Sequence, residues 1–192
     1  MEFFFVRDHR AKYRFFSSEP ERELSIPVSR TKQAWELAQK KLNVLPARIL
    51  RQEQAFINIL KAGDEILPIR YSGQRSEKRI RLRFSLFLQK QRTKHILFLI
   101  GETILLPLSG LAALLPGPNV AFAALAILMY THWRALRGVS RLLHKEAAFA
   151  AAPLFAEWEA ASDQGQVDRF AAILKRIESE HRLPRVHKIL WK

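Results

Sequence analysis

A carboxylate stands alone in the longest apolar run of this chain: Glu102 is the one charged residue between Ile96 and Leu115. Burying a carboxylate among hydrocarbon is costly, so such a group usually has a partner or a task. Desolvation raises its pKa, which brings proton exchange toward neutral pH and suits a proton-coupled process. The plainer task is structural: Glu102 snorkels to an interface, or bonds His132 or Thr131 of a returning helix and fixes the register of the pair. Other groups with chemical potential are dispersed. His9, His95, His132, His144, His181 and His187 include no i, i+4 pair that would set two ligands on one helical face, so no metal site is expected. Ser109 and Ser140 have no recognisable base partner. Phosphate-loop, dinucleotide, nucleophile-elbow and zinc-protease signatures are missing, and neither a cofactor nor an enzymatic activity is expected.

The elements that would position Glu102 follow from how charge is distributed. The 192 residues carry a net +14, divided as +11 over residues 1–94, −1 over residues 95–133 and +4 over residues 134–192. With no Cys, a disulfide framework, a thiolate metal site and thiol catalysis are excluded. As a helix, Ile96 to Leu115 would extend about 30 Å, enough to cross a bilayer. Pro116, Gly117, Pro118 and Asn119 then force a reversal, with Asn119 placed to cap the next helix. Val120 to Trp133 covers about 21 Å, which is short for a crossing. Either this second helix extends through Leu136 with Arg134 snorkelling, or the hairpin dips in without crossing. Lys90, Arg92 and Lys94 precede the hairpin, and Arg134, Arg137, Arg141 and Lys145 follow it. Two basic flanks put both termini on the cytoplasmic or matrix side. Tyr130, His132 and Trp133 sit where an interfacial belt would lie.

The fold expected is therefore mostly α, a membrane-embedded helical hairpin with amphipathic flanking helices and a small N-terminal β element. Its regions are a basic α+β part (1–94), a transmembrane or re-entrant hairpin (95–137) and a C-terminal helical part (138–192). The aromatic runs Glu2 to Arg7 and Ala11 to Phe16 predict a β-hairpin. Ser29 or Thr31 could cap a helix to about Leu42 bearing Trp35 and Ala38, and a second helix starts near Ala47 with Ile49, Phe56, Ile57 and Leu60 on one face. Ile66 to Tyr71 reads as a strand that Pro68 would hold at a sheet edge. Residues 79–88 fit strand or helix, and the helix is preferred, as a basic stem suited to anionic lipid heads. An Ala-rich helix is expected from Trp133 to about Ala161, interrupted near Pro153. Asp163 would cap a last helix with Phe170, Ile173, Leu174 and Ile177 on one face. Met1-Glu2 lacks the features of a secretory signal, and Glu2 and Asp8 interrupt a transit-like start.

Two blocks carry a resemblance: Leu114-Leu115-Pro116-Gly117-Pro118-Asn119, and Tyr130-Thr131-His132-Trp133-Arg134-Ala135-Leu136-Arg137-Gly138. With the aromatic start from Phe3 to Phe16 and the segment Glu65-Ile66-Leu67-Pro68, the chain resembles the mitochondrial K+/H+ exchange-related protein family. It departs from that pattern at Ala121 to Leu128, which is Ala-rich where the family is usually aromatic. The resemblance assigns Pro116, Pro118 and Asn119 to the family's turn, and His132, Arg134, Ala135, Leu136 and Gly138 to its second block, and brings no established catalytic residue. It implies a subunit or regulator of potassium/proton exchange in a bacterial cytoplasmic membrane, or in the mitochondrial inner membrane of a eukaryote. The implied partners are anionic lipid, potassium ion, protons, and further copies or a larger membrane complex, with Gly101, Gly110, Ala112 and Ala113 as small packing surfaces. A non-transporting, lipid-binding anchor is the alternative. Nucleic acid is a weaker candidate, because the basic residues flank the apolar run and no binding motif accompanies them.

Overall fold

The computed structural model describes residues 1–19, 47–63, 65–111 and 120–191. Its centre is β1 (Phe3–Arg7). Successive strand residues point to opposite faces, so Phe3 and Phe5 go one way, Phe4 and Val6 the other, and all four are buried. A strand apolar on both faces must be covered on both. β2 (Tyr13–Ser17) returns antiparallel, with Phe16 opposite Phe4 and Phe15 opposite Phe5, which is the hairpin the aromatic runs predict. On the other side of β1 lies β3 (Leu67–Tyr71), parallel to it, and β4 (Ala147–Ala151) is parallel to β3, giving the order β2-β1-β3-β4.

Helices cover the sheet on both sides. One face carries α1 (Ala47–Asn58), α2 (Glu77–Leu111) and α3 (Val120–His144). Here Phe3, Phe5, Phe15 and Ile69 meet Phe56 of α1, Ile80, Phe84 and Leu88 of α2, and Ala135, Val139 and Leu142 of α3. The opposite face carries α4 (Pro153–Asp163), α5 (Val167–Glu180) and α6 (His187–Leu190). There Phe4, Val6 and Phe16 meet Phe155 and Trp158 of α4, Phe170, Ile173, Leu174 and Ile177 of α5, and Ile189 and Leu190 of α6. Each fully buried side chain of this size contributes about 1.5–3 kcal/mol. Trp158 is anchored as well as buried, its indole N–H donating to the Arg7 carbonyl at 2.8 Å.

This architecture corrects the expected fold. A four-stranded mixed sheet with helices on both faces replaces the membrane-embedded hairpin, and among the described residues no helix is long and apolar enough to cross a membrane. As far as Leu111 the apolar run is the distal part of α2, a continuous helix that starts in the basic stem at Glu77 and carries His95, Glu102 and Pro107. α3 carries His132, Arg134 and Arg137 along its middle. The turn Pro116 to Asn119, the helix proposed around Trp35 and the small surface at Ala112 and Ala113 lie outside the described residues.

Three local expectations also change. Ala147 to Ala151 is strand and not helix, because pairing along the full length of β3 overrides the helix preference of alanine. β3 is interior, not an edge. Leu67 directs its N–H to Glu146 on the β4 side, so the N–H that Pro68 lacks would face β1, whose pairing begins one residue later at Ile69. Asp163 ends α4 and pairs with Arg7, while Gln166 precedes α5. Residues 79–88 are helical, inside α2, as read.

Candidate functional site

His95 and Glu102 are seven residues apart on α2, two turns along one helical face. That face meets α3, and His132 projects between them. α1 closes the third side and brings Glu53. Its approach depends on Gly138 of α3: a Cβ at this position would lie 1.6 Å from the Phe56 carbonyl oxygen and 3.1 Å from Ile59 Cγ2. Since Phe56 is one turn from Glu53 on α1, the missing side chain at 138 sets how far Glu53 reaches toward α2.

The four side chains form one row. Glu53 Oε2 is 3.3 Å from His95 Nε2, His95 Nδ1 is 3.1 Å from His132 Nδ1, and His132 Nε2 is 3.4 Å from Glu102 Oε1. At the outer side of Glu53, Lys94 Nζ reaches Oε1 at 2.9 Å. His95 is fully buried, and Glu53 and Glu102 are nearly so. Aromatic rings wall the row: Phe56 sets its edge to His95 at 6.1 Å, and Phe98 stacks on His132 at 4.8 Å. The His95 Nε2 contact is close but misaligned, leaving that nitrogen without a formed hydrogen bond, and Glu102 Oε2 is likewise buried without a partner among the described residues.

Burial governs protonation here. It pushes the Glu102 carboxyl up to about 7. Burial, then the neighbouring Lys94 charge, pushes His95 down to about 4. His132 falls to about 4 through burial, then through His95, with Glu53 opposing and Lys94 adding a little. Near neutral pH both rings are therefore uncharged, and the His132–Glu102 contact joins a neutral ring to a carboxyl group that is about half protonated. Within the described residues, no group of three or more His, Cys, Asp or Glu could hold a metal ion.

The structure gives each sequence-derived site residue a place. Glu102 does meet His132, whereas the Thr131 hydroxyl donates to the Ile127 carbonyl. Ala135 is buried, Leu136 lines a shallow apolar groove with Ile96, Leu99 and Ile100, and the Arg134 guanidinium lies 5.8 Å from the Tyr130 ring centre. Arg137 lies 5.0 Å over Trp133, and Lys94 5.8 Å over Phe98. Beyond these cations α2 and α3 expose Leu97, Ile100, Ile104, Leu105 and Phe122, an apolar face with an aromatic and basic rim. The reading from sequence missed Glu53 and His95. The seven-residue spacing of His95 and Glu102 was an available signal; Glu53 is brought in by tertiary packing alone.

Comparison with known proteins gives one family: a model described as "Mitochondrial K+-H+ exchange-related" matches residues 22–145, more than half of the chain. That stretch contains His95, Glu102, His132, Glu53 and Gly138. Neither the curated proteins nor the solved structures gave a match.

Proposed function

Because the chain belongs to the mitochondrial K+-H+ exchange-related family, we propose that it regulates potassium/proton exchange as a proton-responsive subunit resting against an anionic lipid surface. The carrying observation is the buried Glu102 carboxyl 3.4 Å from His132, beneath the exposed apolar face of α2 and α3. A carboxyl that changes charge near neutral pH inside a packed helical pair makes the packing depend on proton concentration in the working range of an exchanger. The rim supports the lipid contact: Tyr130 and Trp133 place amphipathic rings beside Arg134 and Arg137, and Phe98 an apolar ring beside Lys94, the pairing that suits a headgroup layer. The membrane is that of a bacterial cytoplasm or a mitochondrial matrix, approached from the inner side.

The test is potassium-dependent proton flux in membrane vesicles from cells lacking the chain, resupplied with the wild type or with Glu102→Gln at equal abundance. Resupply of the wild type restores a flux that changes between pH 6 and 8, and the variant flattens that profile. Identical profiles would remove the regulatory role.

A further inference from the structure

The row has four sites in line and three contacts between them, and each contact needs one proton. Two neutral imidazoles supply two. The third has to come from a carboxyl group, so the row is fully bonded when Glu53 and Glu102 together hold a single proton. Lys94 Nζ lies 2.9 Å from Glu53 Oε1, whereas among the described residues no cation lies against Glu102, so the shared proton is placed on Glu102. The resting order is then Glu102 O–H donating to His132 Nε2, His132 Nδ1–H donating to His95 Nδ1, and His95 Nε2–H beside Glu53.

We propose that Glu53, His95, His132 and Glu102 form a proton relay joining the apolar face of the α2–α3 pair to the Lys94 side of α1. The proposal rests on the proton-handling role given above and names the residues that carry it out. In one passage the Glu102 O–H bond breaks and a proton joins His132 Nε2. His132 Nδ1 gives its proton to His95 Nδ1, and His95 Nε2 gives its proton to a Glu53 oxygen. Both rings end neutral with their tautomers exchanged, Glu102 ends ionised, Glu53 ends protonated, and no charge rests on an imidazole. For the passage the outer contacts, 3.3 and 3.4 Å, close by about 0.4 Å to ordinary hydrogen-bond length, and the His95 ring also turns to aim Nε2 at the Glu53 carboxylate, which it does not do at rest. The charged and titratable groups facing the row are Glu53 from α1, Lys94, His95 and Glu102 from α2, and His132 from α3. When Glu102 ionises without passing its proton inward, the two Nδ1 lone pairs face each other at 3.1 Å, and the central contact between α2 and α3 is lost.

Nitrogen-15 NMR of the full chain labelled at histidine reads the tautomers directly. At pH 6 the relay requires opposite forms, Nε2–H on His95 and Nδ1–H on His132, and a step centred near pH 7 in which His132 changes to Nε2–H and the His95 Nδ1 resonance shifts as it loses its donor. In Glu102→Gln the amide donates as the protonated carboxyl did, so the opposite forms persist to pH 8.5 with no step. In Glu53→Gln the amide can donate to His95 Nε2, so at pH 8 the forms invert to Nδ1–H on His95 and Nε2–H on His132. Nε2–H on both wild-type rings at pH 6, a step at His132 alone, or no inversion in Glu53→Gln would each overturn the relay. Should those failures occur while Glu102→Gln still flattens the flux profile, the regulatory role survives without the relay. The expected tautomers with an unaltered flux profile would keep the relay and remove that role.

Discussion

Replacing Gly138 by alanine tests whether the approach of α1 to α3 is what assembles the site. In an ordinary helix the change stabilises by about 1 kcal/mol through helix propensity. Here the new Cβ would lie 1.6 Å from the carbonyl oxygen of Phe56 and 2.6 Å from its carbon. The first contact must open by roughly 2 Å to reach van der Waals separation. The obstacle is backbone, so no rotamer change relieves it, and α1 has to move. Overpacking of this kind costs about 3 kcal/mol at the upper end of its usual range, leaving a net loss of about 2 kcal/mol once propensity is credited. In a domain of this size that lowers the melting temperature by about 4–8 °C. Thermal unfolding followed by circular dichroism measures it, and a His95 imidazole shift reports whether Glu53 has withdrawn. A variant as stable as the wild type, with the His95 signal in place, would refute the reasoning.

The pH dependence of stability has a defined sign. His95 and His132 have folded pKa values below that of a free imidazole, so their stabilisation is present above pH 6.5 and is lost as pH falls through about 4; urea midpoints should drop between pH 6.5 and 4. Glu102 is raised, so its contribution is present below pH 4.5 and lost as pH rises through about 7, and the stability of Glu102→Gln relative to the wild type should improve from pH 5 to 8. Neutralising Lys94, Arg134 and Arg137 together should weaken sedimentation with anionic vesicles about a hundredfold, at about 1 kcal/mol per charge, with uncharged vesicles unaffected. Trp158→Phe leaves the half-buried Arg7 carbonyl without its indole donor and should cost about 1–3 kcal/mol in urea unfolding.

What was legible in the sequence was local. Two short aromatic runs around Asp8-His9-Arg10 announced the β1–β2 hairpin, and the 3.6-residue spacing of Phe170, Ile173, Leu174 and Ile177 announced α5. Glu102 was visible because an isolated charge in an apolar run demands an explanation. The apolar run itself misled: hydrophobicity records that surface is withdrawn from water without recording what withdraws it, and part of this run packs against α3 and part is exposed. β4 was illegible for a different reason. Alanine is the best helix former, so the sequence points to helix, and the strand exists through pairing with β3, about 80 residues earlier in the chain. Glu53 and His95 share this dependence, since 42 positions separate them and α1 reaches α2 through the gap at Gly138.

The order of the strands has a consequence for how the polypeptide can be cut or grown. β3 sits between β1, from the beginning of the chain, and β4, from beyond residue 145. A fragment trimmed to residues 22–145 would retain β3 and lose its neighbours on both edges, together with the entire second helical layer. During synthesis the same geometry makes β1 wait, aromatic on both sides, until Trp158 has left the ribosome. Such long-range closure slows folding and lengthens the exposure of sticky intermediates, so expression trials should keep both ends of the chain.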